Sequence, residues 1–181
     1  MVRLFVGFPT PPEAPSNFQE QWHWTYHYDL RWTKAPFHVT LRFLNVTKDI
    51  VPDLIERLKT VQAPVFQASY GVTGIFTRKD RDGKIIPTVL YLSVEPAQTI
   101  SHLHDLIEKA LEGLKISRDS RFIPHVTLGR FIFHTKPTGR LLSQPAPISV
   151  YFPVNAFHLY ESKPTAGGHE HNILATYPLQ S

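Results

Sequence analysis

The tetrapeptide His-Val-Thr-Leu occurs twice, at residues 38–41 and 125–128, and each copy closes the same kind of segment. An apolar strand leads into a helix-forming stretch and then into the tetrapeptide, over nearly equal lengths of chain from Leu4 to His38 and from Val89 to His125. A lone His-x-Thr is weak evidence, because a chain with 10 histidines produces such triplets by composition. Two copies of one tetrapeptide, each ending a like unit, mean duplication. The expectation is an α+β chain folded as a single bilobal domain over residues 1–181. Its two lobes are related by a pseudo-twofold axis, each an antiparallel-rich sheet with outer helices, and they enclose a central cleft.

Periodicity fills in the units. Residues 3–8 read as a buried strand, followed by prolines at 9, 11, 12 and 15 that would interrupt a signal-peptide core. Phe18, Trp22 and Tyr26 recur every four residues and predict a helix over 16–27. Ile50, Val51, Leu54, Ile55, Leu58 and Val61 predict a second, with Thr47 or Asp49 as its cap. Ile100, Leu103, Ile107, Leu111 and Leu114 predict a third over 99–114. Residues 65–76 and 85–94 read as strands joined through an Asp82-Gly83 turn. A polar turn at 136–139 precedes two last strands near 148–160 and 172–178, and 166–171 read as an exposed loop.

Composition narrows the class. Hydrophobic residues make up 42% and charged residues 19% of the chain, enough apolar material for a packed core. Cysteine is absent, which excludes disulfides and thiolate metal sites and suits a cytoplasmic location. No apolar run nears the roughly 20 residues of a membrane helix, so no membrane partner is expected. A formal charge of +4 is compatible with a polyanionic partner, but carries little weight alone.

The repeated tetrapeptide supplies chemistry. Residues two apart on a strand share a face, so His38 goes with Thr40 and His125 with Thr127. Val39, Leu41, Val126 and Leu128 then turn into the packing beneath the helices. Cleaving a phosphodiester requires one group to take a proton from the nucleophile and another to give one to the leaving oxygen. Imidazoles titrate near 6.5 and can do both. Threonine hydroxyls can donate to the non-bridging oxygens as charge gathers there. No metal and no cofactor are needed. The pseudo-symmetry leaves open which histidine is the acid.

Arg31-Trp32, Pro36 and Phe37-His38-Val39-Thr40-Leu41-Arg42-Phe43-Leu44 resemble the first motif region of the bacterial and archaeal RNA 2',3'-cyclic phosphodiesterases, the 2'-5' RNA ligase-like branch of the 2H phosphoesterases. Residues 89–96 resemble the strand before that family's third helix, 121–130 its second motif, and Leu159-Tyr160-Glu161-Ser162 a late strand end. The resemblance runs from residue 2 to about 179. It implies that His38 is the proton donor and His125 the proton acceptor, and that an RNA 2',3'-cyclic phosphate opens to a 2'-phosphate. Asn45 stands where the family usually has glycine, and Tyr91 where it commonly has tryptophan. The implied partner is RNA with a cyclic phosphate end, tRNA or small cyclic nucleotides among the candidates, acted on by a monomer. The same site would also suit a 2'-5' RNA ligase or a nucleotide-level cyclic phosphodiesterase. An RNA-end-binding module without turnover is a rival of another class.

Arg130, Arg42 and Trp32 complete the candidate substrate-binding set. Arg130 has the wrong parity for His125 unless a bulge near Gly129 re-aims it, whereas Arg42 has the right parity with His38. Trp32 reads as core or cleft wall before base platform. His23 with His27, His102 with His104 and His169 with His171 offer too few convergent ligands for zinc. Residues 78–81 read as a solvated hairpin tip.

Overall fold

The computed structural model describes residues 1–26, 29–114, 116, 122–132, 139–165 and 168–180. Its strands are β1 (Val2–Thr10), β2 (Leu30–Trp32), β3 (Phe37–Val46), β4 (Phe66–Lys79), β5 (Ile85–Glu95), β6 (His125–Phe131), β7 (Tyr151–Val154), β8 (Ala156–Thr165) and β9 (Gly168–Pro178). Its helices are α1 (Glu13–Trp22), α2 (Val51–Leu58) and α3 (Ala97–Ala110). Antiparallel pairing runs β7-β4-β5-β6-β3-β1-β8-β9, with β2 beside β6. Outward from the central β3/β6 seam, β1 and β5 occupy like places, as do β8 and β4. This is the expected pseudo-symmetric α+β architecture, its two lobes fused at the seam into one curled sheet.

One face of the sheet is apolar. Leu4, Val6 and Phe8 of β1, Val39 and Leu41 of β3, and Val126 and Leu128 of β6 join the buried faces of the helices in a single cluster. The helices cross over: α3, from the second repeat, lies on β3 as well as β5, and α1, from the first, reaches β6. Each repeat therefore roofs part of the other.

Several boundaries differ from expectation. α1 begins at Glu13 and ends at Trp22, not 16–27. The aromatic and β-branched run beyond it is a poor helix former, and the Trp22 carbonyl closes the end by accepting from both Thr25 (3.1 Å) and Tyr26 (3.2 Å). The Phe18–Trp22 and Trp22–Tyr26 ring contacts persist around that turn, with centroids 5.9 and 5.8 Å apart. Neither Thr47 nor Asp49 caps α2, whose N-cap is Ile50, because a short 3-10 turn at Lys48–Ile50 intervenes. α3 spans 97–110, with Leu111 at its C-cap. The stretch expected near 148–160 is two strands, broken at Asn155. The Asp82-Gly83 turn forms as expected, Gly83 taking φ +78 and Asp80 Oδ1 accepting from the Asp82 and Lys84 amides. Residues 168–171 are not a loop but the start of β9. His27, Arg121, the 136–138 part of the polar turn, and residues 166–167 lie outside the described residues.

Candidate active site

β3 and β6 touch at one antiparallel pair, Val39 opposite Val126. Both valines are buried on the apolar face, so their neighbours in sequence turn to the other face together. The register sets His38 across from Thr127 and Thr40 across from His125, which leaves the two imidazoles diagonal. Diagonal neighbours on one face of an antiparallel pair lie about 7–8 Å apart, somewhat less at Cβ. That leaves room for a tetrahedral anion between two rings. Both histidines and both threonines are half-buried, and neither threonine hydroxyl bonds to another protein group among the described residues.

Just after each threonine the ladder slips by one residue. In β3 Leu41 is the extra residue between the Gly7/Thr40 and Val6/Arg42 pairs. In β6 it is Leu128, between Tyr91/Thr127 and Leu90/Gly129. A bulge frees a backbone group and reverses the parity beyond it. The freed carbonyls are claimed by helices of the opposite repeats. His104 Nδ1 of α3 donates to Leu41 O (2.8 Å), and Gln19 Nε2 of α1 donates to Leu128 O (2.8 Å) and Thr33 O (2.7 Å).

Parity then decides three candidates. Arg130 comes round to the face of His125, close enough to lower that ring's proton affinity. Arg42 goes the other way: it is 3% exposed, with Nε 2.6 Å from Glu108 Oε1 of α3. It locks helix to sheet and does not line the cleft. Phe43 takes the cleft position that corresponds to Arg130. Trp32 also lies off the cleft. It pairs with Gly129, where a Cβ would meet the Leu30 and Trp32 side chains at 3.5 Å, so these face the apolar side.

Each catalytic candidate is held by the backbone two residues before it. His125 Nδ1 donates to Ile123 O at 2.7 Å, and the His38 ring bonds to the Pro36 backbone. For His125 this leaves Nε2 as the nitrogen free to exchange a proton. His38 sits in an aromatic nest. Phe5 stacks on it at 4.8 Å, Tyr160 stacks on Phe5 at 4.6 Å, and the His171 ring meets it edge to face at 5.1 Å. Burial, then the neighbouring His171 and His125, push His38 from 6.5 down to about 4 against the Pro36 bond. His125 lies against Phe76 (4.8 Å) and Tyr91 (5.4 Å), and burial followed by Arg130 lowers it too. Gly74 makes room for Tyr91, since a Cβ there would fall 2.3 Å from the phenol ring. Phe5, Phe76 and His171 are among the site residues that sequence reasoning missed. Phe5 was hidden in a continuous apolar strand, and His171 in an apparent loop.

Among the described residues no group of three or more His, Asp or Glu side chains is arranged to hold a metal ion. His102 is exposed, whereas His104 is buried against Phe122.

A curated RNA 2',3'-cyclic phosphodiesterase of Thermotoga maritima is 26% identical over 140 residues, covering 76% of this chain and 72% of that protein. TT0787 of Thermus thermophilus superposes with TM-score 0.74 at 25% identity, covering 97% of both chains. E. coli LigT complexed with 3'-AMP shares the fold, with TM-score 0.80, 21% identity and 99% of both chains covered. The family model described as 2'-5' RNA ligase superfamily matches residues 11–165, and the chain, with its paired His-x-Thr strands, belongs to that 2H phosphoesterase family.

Proposed function

We propose that this protein hydrolyses 2',3'-cyclic phosphate ends of RNA to 2'-phosphate ends by metal-independent acid–base catalysis. The observation that carries the proposal is the single Val39/Val126 pair, whose register puts two His-Thr sets diagonally on one face. A cyclic phosphate between the rings has water on one side and its 3' oxygen on the other. His125 Nε2 takes a proton from water as the oxygen attacks phosphorus. The P–O3' bond breaks, and the His38 proton goes to O3', leaving a 3'-hydroxyl and a 2'-phosphate. Thr40 and Thr127 donate to the equatorial oxygens as their charge grows. Each proton transfer contributes about 10²- to 10⁴-fold. The anion also opposes the burial that depresses both rings, so substrate binding itself helps His38 hold its proton. The relative from Thermotoga maritima, named an RNA 2',3'-cyclic phosphodiesterase, supports the same substrate class.

The test incubates the protein with EDTA and an oligonucleotide ending in a 2',3'-cyclic phosphate, then locates the phosphate. A 2'-phosphate and free 3'-hydroxyl, formed at the same rate without chelator, are the expected result. A 3'-phosphate would invalidate the leaving-group assignment, and activity abolished by EDTA would end the metal-independent reading. Joining to an added 5'-hydroxyl strand in preference to hydrolysis would make the enzyme a ligase.

A further inference from the structure

Beyond the seam, β3 diverges and β2 takes its place beside β6. The register sets Arg31 directly opposite Arg130. The flanking Trp32/Gly129 pair faces the apolar side, so both arginines face the cleft. Both are exposed, and among the described residues neither side chain forms an ion pair or hydrogen bond. Like charges directly opposite in an antiparallel ladder destabilise it, and an acid at either position would relieve the repulsion. No acid stands there. Two rigid guanidinium forks at one spot match the oxygens of a phosphate.

Position separates this pair from the reacting centre. With Leu128 bulged out, Arg130 is two ladder steps from Thr127, about 7 Å along β6. The pair is continuous with the cleft but past the point where the rings converge. An occupant that bridges the two places must carry one phosphate at the histidines and another farther on. A strand of RNA does so, and a cyclic mononucleotide does not.

We propose that Arg31 and Arg130 form a second phosphate subsite, which takes the phosphodiester on the 5' side of the terminal nucleotide and so selects RNA strands over free cyclic nucleotides. The proposal rests on the function given above. The test compares kcat/KM on adenosine 2',3'-cyclic phosphate with kcat/KM on a dinucleotide bearing the same cyclic end. For the native protein the dinucleotide is preferred. In Arg31→Gln that preference ratio falls by about tenfold or more, the weight of one charge-assisted hydrogen bond. Arg31→Lys restores part of the ratio, and in Arg31→Gln the salt dependence on the dinucleotide flattens by roughly 0.7 in log–log slope. An unchanged ratio in Arg31→Gln overturns the subsite. If the native protein turns over neither compound, the proposed function fails instead, and the subsite is read by binding of 3'-phosphorylated mono- and dinucleotides. Equal dinucleotide affinity in the native and Arg31→Gln proteins then overturns it.

Discussion

The two His-Val-Thr-Leu strands are built alike through their leucines and part company at the next residue. Each has a buried valine at the seam, a bulged leucine, and a bulge carbonyl held by a side chain from the other repeat's helix. After the bulge, β3 continues Arg42-Phe43 and β6 continues Gly129-Arg130. The cation faces the packing in one lobe and the cleft in the other. The first lobe surrounds its histidine with Phe5, Tyr160 and His171, whereas the second sets Arg130 beside Phe76 and Tyr91. Symmetry places two equivalent imidazoles, and the residues flanking them make the imidazoles unequal. The proposal assigns the acid to one ring and the base to the other.

The heaviest blow to this comparison is removal of either ring. His38→Ala and His125→Ala each lower kcat/KM on a cyclic-phosphate oligonucleotide by at least about 10²-fold. Near-native activity in either variant would mean that the seam is structural. Their pH profiles sharpen the distinction, since each loses the limb that its own ring supplied.

Next in size is the stability effect of the misplaced cation. Arg42 is buried against Glu108, while its counterpart Gly129 has no side chain at all. Glu108→Ala removes the carboxylate that faces the buried Arg42 guanidinium and costs about 3 kcal/mol. For a chain of this size that is roughly a 6–12 °C fall in Tm. A loss under about 1 °C by calorimetry would show that Arg42 relaxes to water and that the lobes are less different than their parity implies.

Much of this was legible in the sequence, and the illegible parts share a cause. The duplicated tetrapeptide announced the lobes and the paired site, because strand parity alone sends His and Thr to one face. Parity reasoning then failed at Arg42, since a bulge at Leu41 leaves no trace in composition. It succeeded conditionally at Arg130, where Gly129 advertised a possible irregularity. Phe5 was invisible because Leu4 to Phe8 is apolar throughout, as befits a central strand covered on both sides. His171 was unreadable for another reason. Its strand begins among glycine and polar residues, and only pairing with β8 makes it a strand.

His171 gives the finest test of the asymmetry. It lies edge-on to His38, with Nδ1 buried and unpartnered, and the second lobe has no imidazole in a like place among the described residues. Burial is the first cause of the low value of about 4 at His38, and the charge of His171 is the second. His171→Phe keeps a ring at the edge contact and removes that charge, so His38 binds its proton more tightly. In the proposed mechanism His38 must be protonated for turnover, so the limb of the kcat/KM profile where His38 loses its proton moves to higher pH. The limb belonging to His125 stays, since the causes acting on His125 are burial, Ile123 and Arg130. The other titratable groups around the pair are Tyr160 from β8 and His169 from β9, both left in place by the substitution. Rate–pH profiles of the two proteins on one oligonucleotide decide it. A limb that fails to move, or moves to lower pH, would mean that His171 merely packs against His38, and that burial alone distinguishes the two histidines.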